Sequence, residues 1–183
     1  MIADSADHVS VLFADIVDFT PLAESLQPDE LVALLNDLFI LFDDLCKQYG
    51  VEKIKTIGDA YMAAAGVPTP DPDHAGSIAE LALDMRDAVS LFAEHWPRPL
   101  ALRFGISSGP VVAGVIGHSK FAYDLWGDTV NTASRMESHG LAGQIHVDAA
   151  THALLIDRYV FSAPREIEVK GKECCRPTAC AAV

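Results

Sequence analysis

Cations are scarce in this 183-residue sequence: 13 lysines and arginines stand against 26 aspartates and glutamates, a formal charge of −13 at pH 7. A polyanionic partner would meet a repulsive mean field, which argues against nucleic-acid backbones and anionic membrane surfaces. A local anion site survives only if metal ions and a few placed cations hold the anion. No run approaches the roughly 18 to 20 uninterrupted apolar residues of a membrane span, and the opening residues lack the basic start and apolar stretch of a secretion signal. The chain is therefore expected in the cytoplasm without direct membrane contact, in a parent protein that is membrane-anchored or free. Cys46, Cys174, Cys175 and Cys180 lack zinc-site spacing and are expected to be reduced and inert. The seven histidines form no pair at metal-ligand spacing, and the glycines form neither a P-loop nor a dinucleotide fingerprint. Repeats, low-complexity tracts and linkers are missing too, so one domain over 1–183 is expected, large enough to bury a sizeable core.

What is present reads as alternating strands and helices. Residues 9–14 are an apolar, β-branched run that stops at Asp15. Pro21 opens a helical stretch. Over 28–49, Leu31, Leu34, Leu35, Leu38, Phe39, Phe42 and Leu45 recur at threes and fours, the pattern of a long amphipathic helix ended by Gly50. Residues 51–57 and 60–65 form a hairpin around Gly58-Asp59. A second amphipathic helix covers 75–95, with strands at 100–107, 111–116 and 121–126 and a helix at 129–138. Short strands at 145–147 and 167–169 bracket a helix at 149–155. This order lacks even βα repeats and predicts an α+β fold with a mainly antiparallel sheet.

Asp15 and Asp59 each end a strand at a turn, where a carboxylate reaches solvent or metal without being buried unpaired. Two such acids suit a pair of magnesium-like ions that clamp a triphosphate; the plainer alternative is two turn aspartates capping their own backbone. Asn131 and Arg135, at i and i+4 of a helix, share a face from which an amide and a guanidinium can meet a sugar and a phosphate. A solvated face with Arg135 paired to Glu137 or Asp128 is the alternative. Alternation along 51–57 places Lys53, Lys55 and Ile57 on one face, with edge protection by lysines as a competing role for Lys55. Lys170 and Lys172 flank Gly171, as phosphate contacts or as loop solubilisers.

Four segments together carry a resemblance. Phe13-Ala-Asp-Ile-Val-Asp-Phe-Thr20, Lys55-Thr-Ile-Gly-Asp-Ala-Tyr-Met62, Tyr123-Asp-Leu-Trp-Gly-Asp-Thr-Val-Asn-Thr-Ala-Ser-Arg-Met-Glu137 and Val169-Lys-Gly-Lys172 resemble, in order and spacing, the class III nucleotidyl cyclase catalytic domain over about residues 8–173. The resemblance implies a ferredoxin-like βαββαβ core with C-terminal additions, and a head-to-tail homodimer with two equivalent sites. By it, Asp15 and Asp59 hold two divalent cations, magnesium or manganese, with the Ile16 backbone also at the metal. Backbone at Phe19 and Thr20 touches phosphate. Asn131 orients the ribose, Arg135 stabilises the α-phosphorus transition state, and Lys170, with Lys172 as second choice, holds the terminal phosphates. One subunit supplies the metal acids and the other the purine pair, Asn131, Arg135 and the lysine.

Lys55 and Asp124 match the family's purine-selecting positions. Adenine offers an acceptor at ring nitrogen 1 and donors at its amino group, which a lysine and an aspartate answer. Guanylyl cyclases of the family carry Glu and a small residue there, so ATP is the expected substrate and cyclic AMP with pyrophosphate the expected products. Pro110 departs from mammalian relatives that place a phosphate-contacting arginine at this position. A catalytically silent cyclase-like module and a purely structural α+β domain are the rival classes; the presence of both acids and Arg135 argues against the first, and the four motifs against the second.

Overall fold

The computed structural model describes residues 2–96, 98–116, 122–163 and 178–180. The elements in chain order are β1 (Ile2–Ile16), α1 (Phe19–Glu24), α2 (Pro28–Tyr49), β2 (Glu52–Ile57), β3 (Ala60–Ala65), α3 (His74–His95), β4 (Leu102–Ile116), β5 (Ala122–Trp126), α4 (Asp128–Ser138), β6 (Ile145–Val147), α5 (Ala149–Leu155) and β7 (Thr178–Cys180). The strands make one sheet in the order β2-β3-β1-β4-β6-β7, with β5 on the far half of β4. Among the described residues only the β4–β6 pair is parallel; the other pairings are antiparallel. The β2-β3-β1-β4 order is the ferredoxin-like βαββαβ arrangement, and the mainly antiparallel α+β fold is as expected. Lys170, Lys172 and the strand expected at 167–169 lie outside the described residues.

The helix ends follow the sequence closely. α2 starts with Pro28 behind a Gln27/Glu30 capping box and ends at Gly50, whose φ of 65° is the left-handed C-cap that glycine adopts freely. Its Leu34, Leu38, Phe42 and Cys46, four apart, are buried against the sheet. With Ile78, Leu81, Ala82, Met85 and Val89 of α3 they close one sheet face over Leu12, Ala14, Ile16, Tyr61, Ala63, Phe104 and Ile106. Each large side chain so buried contributes about 1.5 to 3 kcal/mol. On the opposite face a smaller cluster joins Val9, Val11, Phe13, Met62 and Ala64 to Val111, Ala113 and Leu125 of the β4–β5 hairpin and Ala133 of α4.

Three sequence expectations change. The first strand is longer than 9–14, because Ile2 to Ala6 pair with Val111 to Val115. The strands expected separately at 100–107 and 111–116 are one strand, β4. Pro110 does not break it, because the β1 register shifts between Ala6 and Val9 where Pro110 passes, and a proline without an N–H is tolerated at such a bulge. Lys53 and Lys55 do not share a face. The β2–β3 register also shifts, with Lys53 opposite Ala63 and Lys55 opposite Met62, so the extra residue Ile54 moves Lys55 to the α4 face.

Candidate functional site

The bulge at Ile54 positions the first pair of the site. Lys53 stays on the α2 side, where its ammonium meets the Asp43 carboxylate at 2.7 Å and lies over the Tyr61 ring. Lys55 instead reaches across the α4 face to Asp124 of β5, Nζ to Oδ2 2.5 Å. The other oxygen of Asp124 accepts the Leu125 N–H at 2.8 Å, which fixes the carboxylate's plane. Two residues 69 apart in sequence thus become a half-exposed cation beside an anchored acceptor.

Asp15 and Asp59 meet at the neighbouring end of the sheet. Asp15 is the penultimate residue of β1 and Asp59 lies in the Gly58-Asp59 turn between β2 and β3. Their carboxyl groups are within hydrogen-bonding reach of one another, and the Ile16 N–H donates to Asp59. Partial burial, followed by the Asp15 carboxylate beside it, pushes the Asp59 carboxyl up to about 6. Two neighbouring acids that raise one another's proton affinity fit a hard divalent cation by charge and donor type. Among the described residues no group of three or more His, Cys, Asp and Glu side chains forms a metal cage. A cation here would complete its shell with phosphate oxygens and water, as magnesium commonly does.

Beyond Asp15 the chain turns sharply. Val17 N–H donates to Ala101 O at 2.9 Å, and Asp18 takes a left-handed φ of 53° before α1 begins at Phe19. The Phe19 side chain packs on the main core while Thr20 is exposed.

Asn131 and Arg135 ride on α4, which sits against β4 where Gly105 leaves room. A Cβ on Gly105 would lie 2.1 Å from Glu137 N and 2.4 Å from Ala133 O, so any side chain there would push the helix off. Asn131 is exposed and Arg135 half-buried, and among the described residues neither side chain has a hydrogen-bond or ion-pair partner. The Arg135–Glu137 pairing considered from the sequence is not formed: Glu137 faces Arg103 instead, Nε to Oε1 3.0 Å. Arg103 stands directly opposite Asp15 in the β1–β4 register and also reaches its Oδ2 at 3.3 Å. Burial pushes the Glu137 carboxyl up to about 7, Asp15 adding to the rise and Arg103 opposing it. Arg103 and Glu137 as partners of the Asp15 site were missed in the sequence. The signal was a lone arginine in an apolar strand, but its partner depends on register between strands 88 residues apart.

The arrangement therefore sets two acids at a strand end, a lysine–aspartate pair on the same face, and a free amide and guanidinium on the helix above. It offers charge and hydrogen-bonding groups to a polyanion bearing a hydrogen-bonding ring.

Residues 1–178 match the family model described as the adenylate and guanylate cyclase catalytic domain. An adenylate cyclase of Mycobacterium tuberculosis is 49% identical over 172 residues, covering 94% of this chain and 39% of that protein. A receptor-type guanylate cyclase of Caenorhabditis elegans is 46% identical over 173 residues, covering 91% of this chain and 15% of that protein. Among solved structures, the catalytic core of a rhodopsin-guanylyl cyclase with converted specificity, in complex with ATPαS, superposes with a TM-score of 0.94 at 39% identity, over 99% of this chain and 98% of that one. The chain thus spans well under half the length of these two curated relatives.

Proposed function

Because the chain belongs to the adenylate and guanylate cyclase catalytic domain family, we propose that it is an adenylyl cyclase, converting ATP to 3′,5′-cyclic AMP and pyrophosphate. The observation that carries this reading is the Lys55–Asp124 contact at 2.5 Å. A donor and an anchored acceptor side by side complement ring nitrogen 1 and the amino group of adenine, and mismatch guanine, which presents the reverse pattern. Relatives of both nucleotide types stand close to the chain, so the reading is supported by the pair rather than by overall similarity.

In this reading Asp15 and Asp59, with the Ile16 backbone, hold two divalent cations, magnesium or manganese. Such ions, when bound, supply Lewis-acid activation of the ribose hydroxyl and neutralisation of the triphosphate. Lys55 and Asp124 fix the purine. Asn131 orients the ribose so that its 3′-oxygen lies in line with the α-phosphorus, and backbone at Phe19 and Thr20 borders the phosphates. The 3′-oxygen forms a bond to the α-phosphorus as the bond from that phosphorus to the bridging β-phosphate oxygen breaks. Pyrophosphate carries away the electron pair, and the hydroxyl proton passes to solvent. Arg135 meets the charge that grows on the α-phosphoryl oxygens, and Lys170 holds the departing phosphates. Positioning and charge account for the acceleration, and no protein base is required.

The acids of one chain and the Asn131–Arg135 helix of a second complete each site, so the working unit is a homodimer. Among the described residues no helix is long and apolar enough to cross a membrane.

Purified protein incubated separately with ATP and with GTP, with magnesium or manganese, tests the substrate: cyclic AMP from ATP at far higher kcat/KM is expected, and preferential cyclic GMP would refute it. Mixing Asp59→Ala and Arg135→Ala chains, each nearly inactive alone, tests the shared site. Half of freely exchanged dimers are mixed and each holds one intact site, so recovery of roughly a quarter of wild-type activity is expected. A mixture as inactive as its components, with heterodimers demonstrated, would mean that each chain carries a whole site.

A further inference from the structure

Among the described residues Arg103 is the cation that pairs with the acid pair, through Asp15, and it is held from two sides. Its Nε donates to Glu137 of α4 at 3.0 Å and its terminal nitrogen to Asp15 of β1 at 3.3 Å. The three side chains are largely withdrawn from water, with 28% exposure for Arg103, 22% for Asp15 and 9% for Glu137. Arg103 has little rotational freedom, being directly cross-strand from Asp15 and pinned at its inner nitrogen by Glu137. Glu137 is fixed in turn by the close seat of α4 on Gly105. The contact with Asp15 uses one carboxylate oxygen, Oδ2. The guanidinium therefore occupies one oxygen of Asp15 and leaves the other out of its grip, and the neighbouring acid within reach of that carboxyl group is Asp59.

We propose that Arg103 is a positioning residue for the cation site: anchored by Glu137, it holds Oδ2 of Asp15 and leaves the remaining oxygen available to a cation that Asp15 and Asp59 would hold. This rests on the reading of Asp15 as a cation ligand and adds the element that orients it. Partners that hydrogen-bond a ligating carboxylate typically contribute tenfold to a hundredfold in metal affinity. The same connection joins Asp15 to α4, the helix that carries Asn131 and Arg135, within one chain.

The test reads cation binding without turnover. Free manganese is followed by its paramagnetic resonance signal while it is titrated into the protein with 3′-deoxy-ATP, which lacks the attacking hydroxyl. Four variants accompany the wild type: Asp15→Ala, Arg103→Met, Arg103→Lys, and Arg103→Met with Glu137→Gln. Arg103→Met is expected to weaken manganese binding by roughly ten- to a hundredfold. Arg103→Lys should recover part of it, because a lysine keeps the charge but not the fork that spans both acids. Arg103→Met also strands a buried Glu137, so it will lose thermal stability; the double variant removes both partners and should regain stability while manganese binding stays weak.

If Arg103→Met and the double variant bind manganese within twofold of wild type while Asp15→Ala does not bind, the inference is overturned and the cation reading of Asp15 stands. If the double variant regains affinity together with stability, Arg103 only neutralises Glu137, and the inference is likewise overturned. If Asp15→Ala binds manganese as wild type does, the cation reading itself fails and the inference with it.

Discussion

The face of the sheet under α2 and α3 carries the larger apolar cluster, with its ion pair near the rim, where Lys53 meets Asp43. The face under α4 has the smaller cluster, and its charged groups lie among the packing residues: Lys55 with Asp124, Arg103 with Asp15 and Glu137. Lys53 and Lys55 make the contrast within one strand. Both are lysines paired to an aspartate, two residues apart, and the bulge at Ile54 sends one to each face. The first braces α2 against β2; the second presents a donor beside an anchored acceptor. The difference teaches that residue type and sequence spacing do not tell the two lysines apart; what each charge faces does.

The comparison is broken most strongly at Asp59. On the proposed function, Asp59→Ala should lower kcat by at least about a thousandfold, roughly 4 kcal/mol of transition-state energy, because one remaining carboxylate would not hold two cations against a triphosphate. The variant should fold, since Asp59 sits in a turn outside both clusters. Single-turnover cyclic AMP formation measures it, and more than a tenth of wild-type activity would remove Asp59 from the metal site.

On the opposite face the largest effect should fall on stability alone. Leu38 is fully buried among α3 and sheet residues, and Leu38→Ala should cost about 2 to 5 kcal/mol of unfolding free energy. Activity per folded molecule should stay within twofold of wild type. Denaturant titration beside active-site titration checks this, and a loss of kcat in a fully folded sample would show that the α2 face supports the chemistry as well.

The two lysines sharpen the comparison further. Changing Lys55 to Glu together with Asp124 to Gly should shift the ratio of ATP to GTP kcat/KM by roughly ten- to a hundredfold toward GTP, because a site built to hydrogen-bond one ring leaves its polar groups unpaired against a ring with the reverse pattern. Lys53→Met should leave that ratio unchanged and cost at most about 1 kcal/mol of stability, the loss of a part-exposed pair. Equal ratios in both variants would remove Lys55 and Asp124 from purine selection.

Much of this was legible in advance, and the exceptions have a common physical cause. The spacing of Leu34, Leu38 and Phe42, the Gly50 stop and the Gly58-Asp59 turn are local signals, and they located α2 and the β2–β3 hairpin to within a residue or so. The 149–155 helix likewise coincides with α5. What escaped was register. Strict alternation put Lys53 and Lys55 together, and only pairing with β3 reveals the extra residue that separates them. Arg103 read as one charge in an apolar strand, because its partners lie on β1 and α4 and local periodicity holds no record of either. The arm at 2–8 carries Asp4, Asp7 and exposed positions, so no apolar run marked it, and its pairing with β4 is a tertiary fact.

The smallest expected effect concerns the cost of holding two acids together without a cation. The Asp59 carboxyl is pushed up to about 6 in the folded chain, first by partial burial and then by Asp15, whereas an unfolded aspartate titrates near 3.9. The folded state therefore binds a proton more tightly than the unfolded one. The stability this confers is present in full below about pH 4 and is lost as pH rises through about 6. Asp59→Asn removes that dependence. In metal-free protein the variant should match wild type near pH 4 and become progressively more stable than it up to about pH 7. The difference should then level off at about 1 kcal/mol, since solvent screens a partly exposed carboxylate. For a chain of this length that is roughly 2 to 4 °C in melting temperature. Manganese with 3′-deoxy-ATP should reverse the order by stabilising the wild type alone, through ligand binding to the folded state. Calorimetry at several pH values, with chelator and then with manganese and the analogue, checks both halves. Identical melting curves for the two proteins across pH 4 to 7.5 would mean that Asp15 and Asp59 do not strain one another, and the charge argument for a cation between them would fall.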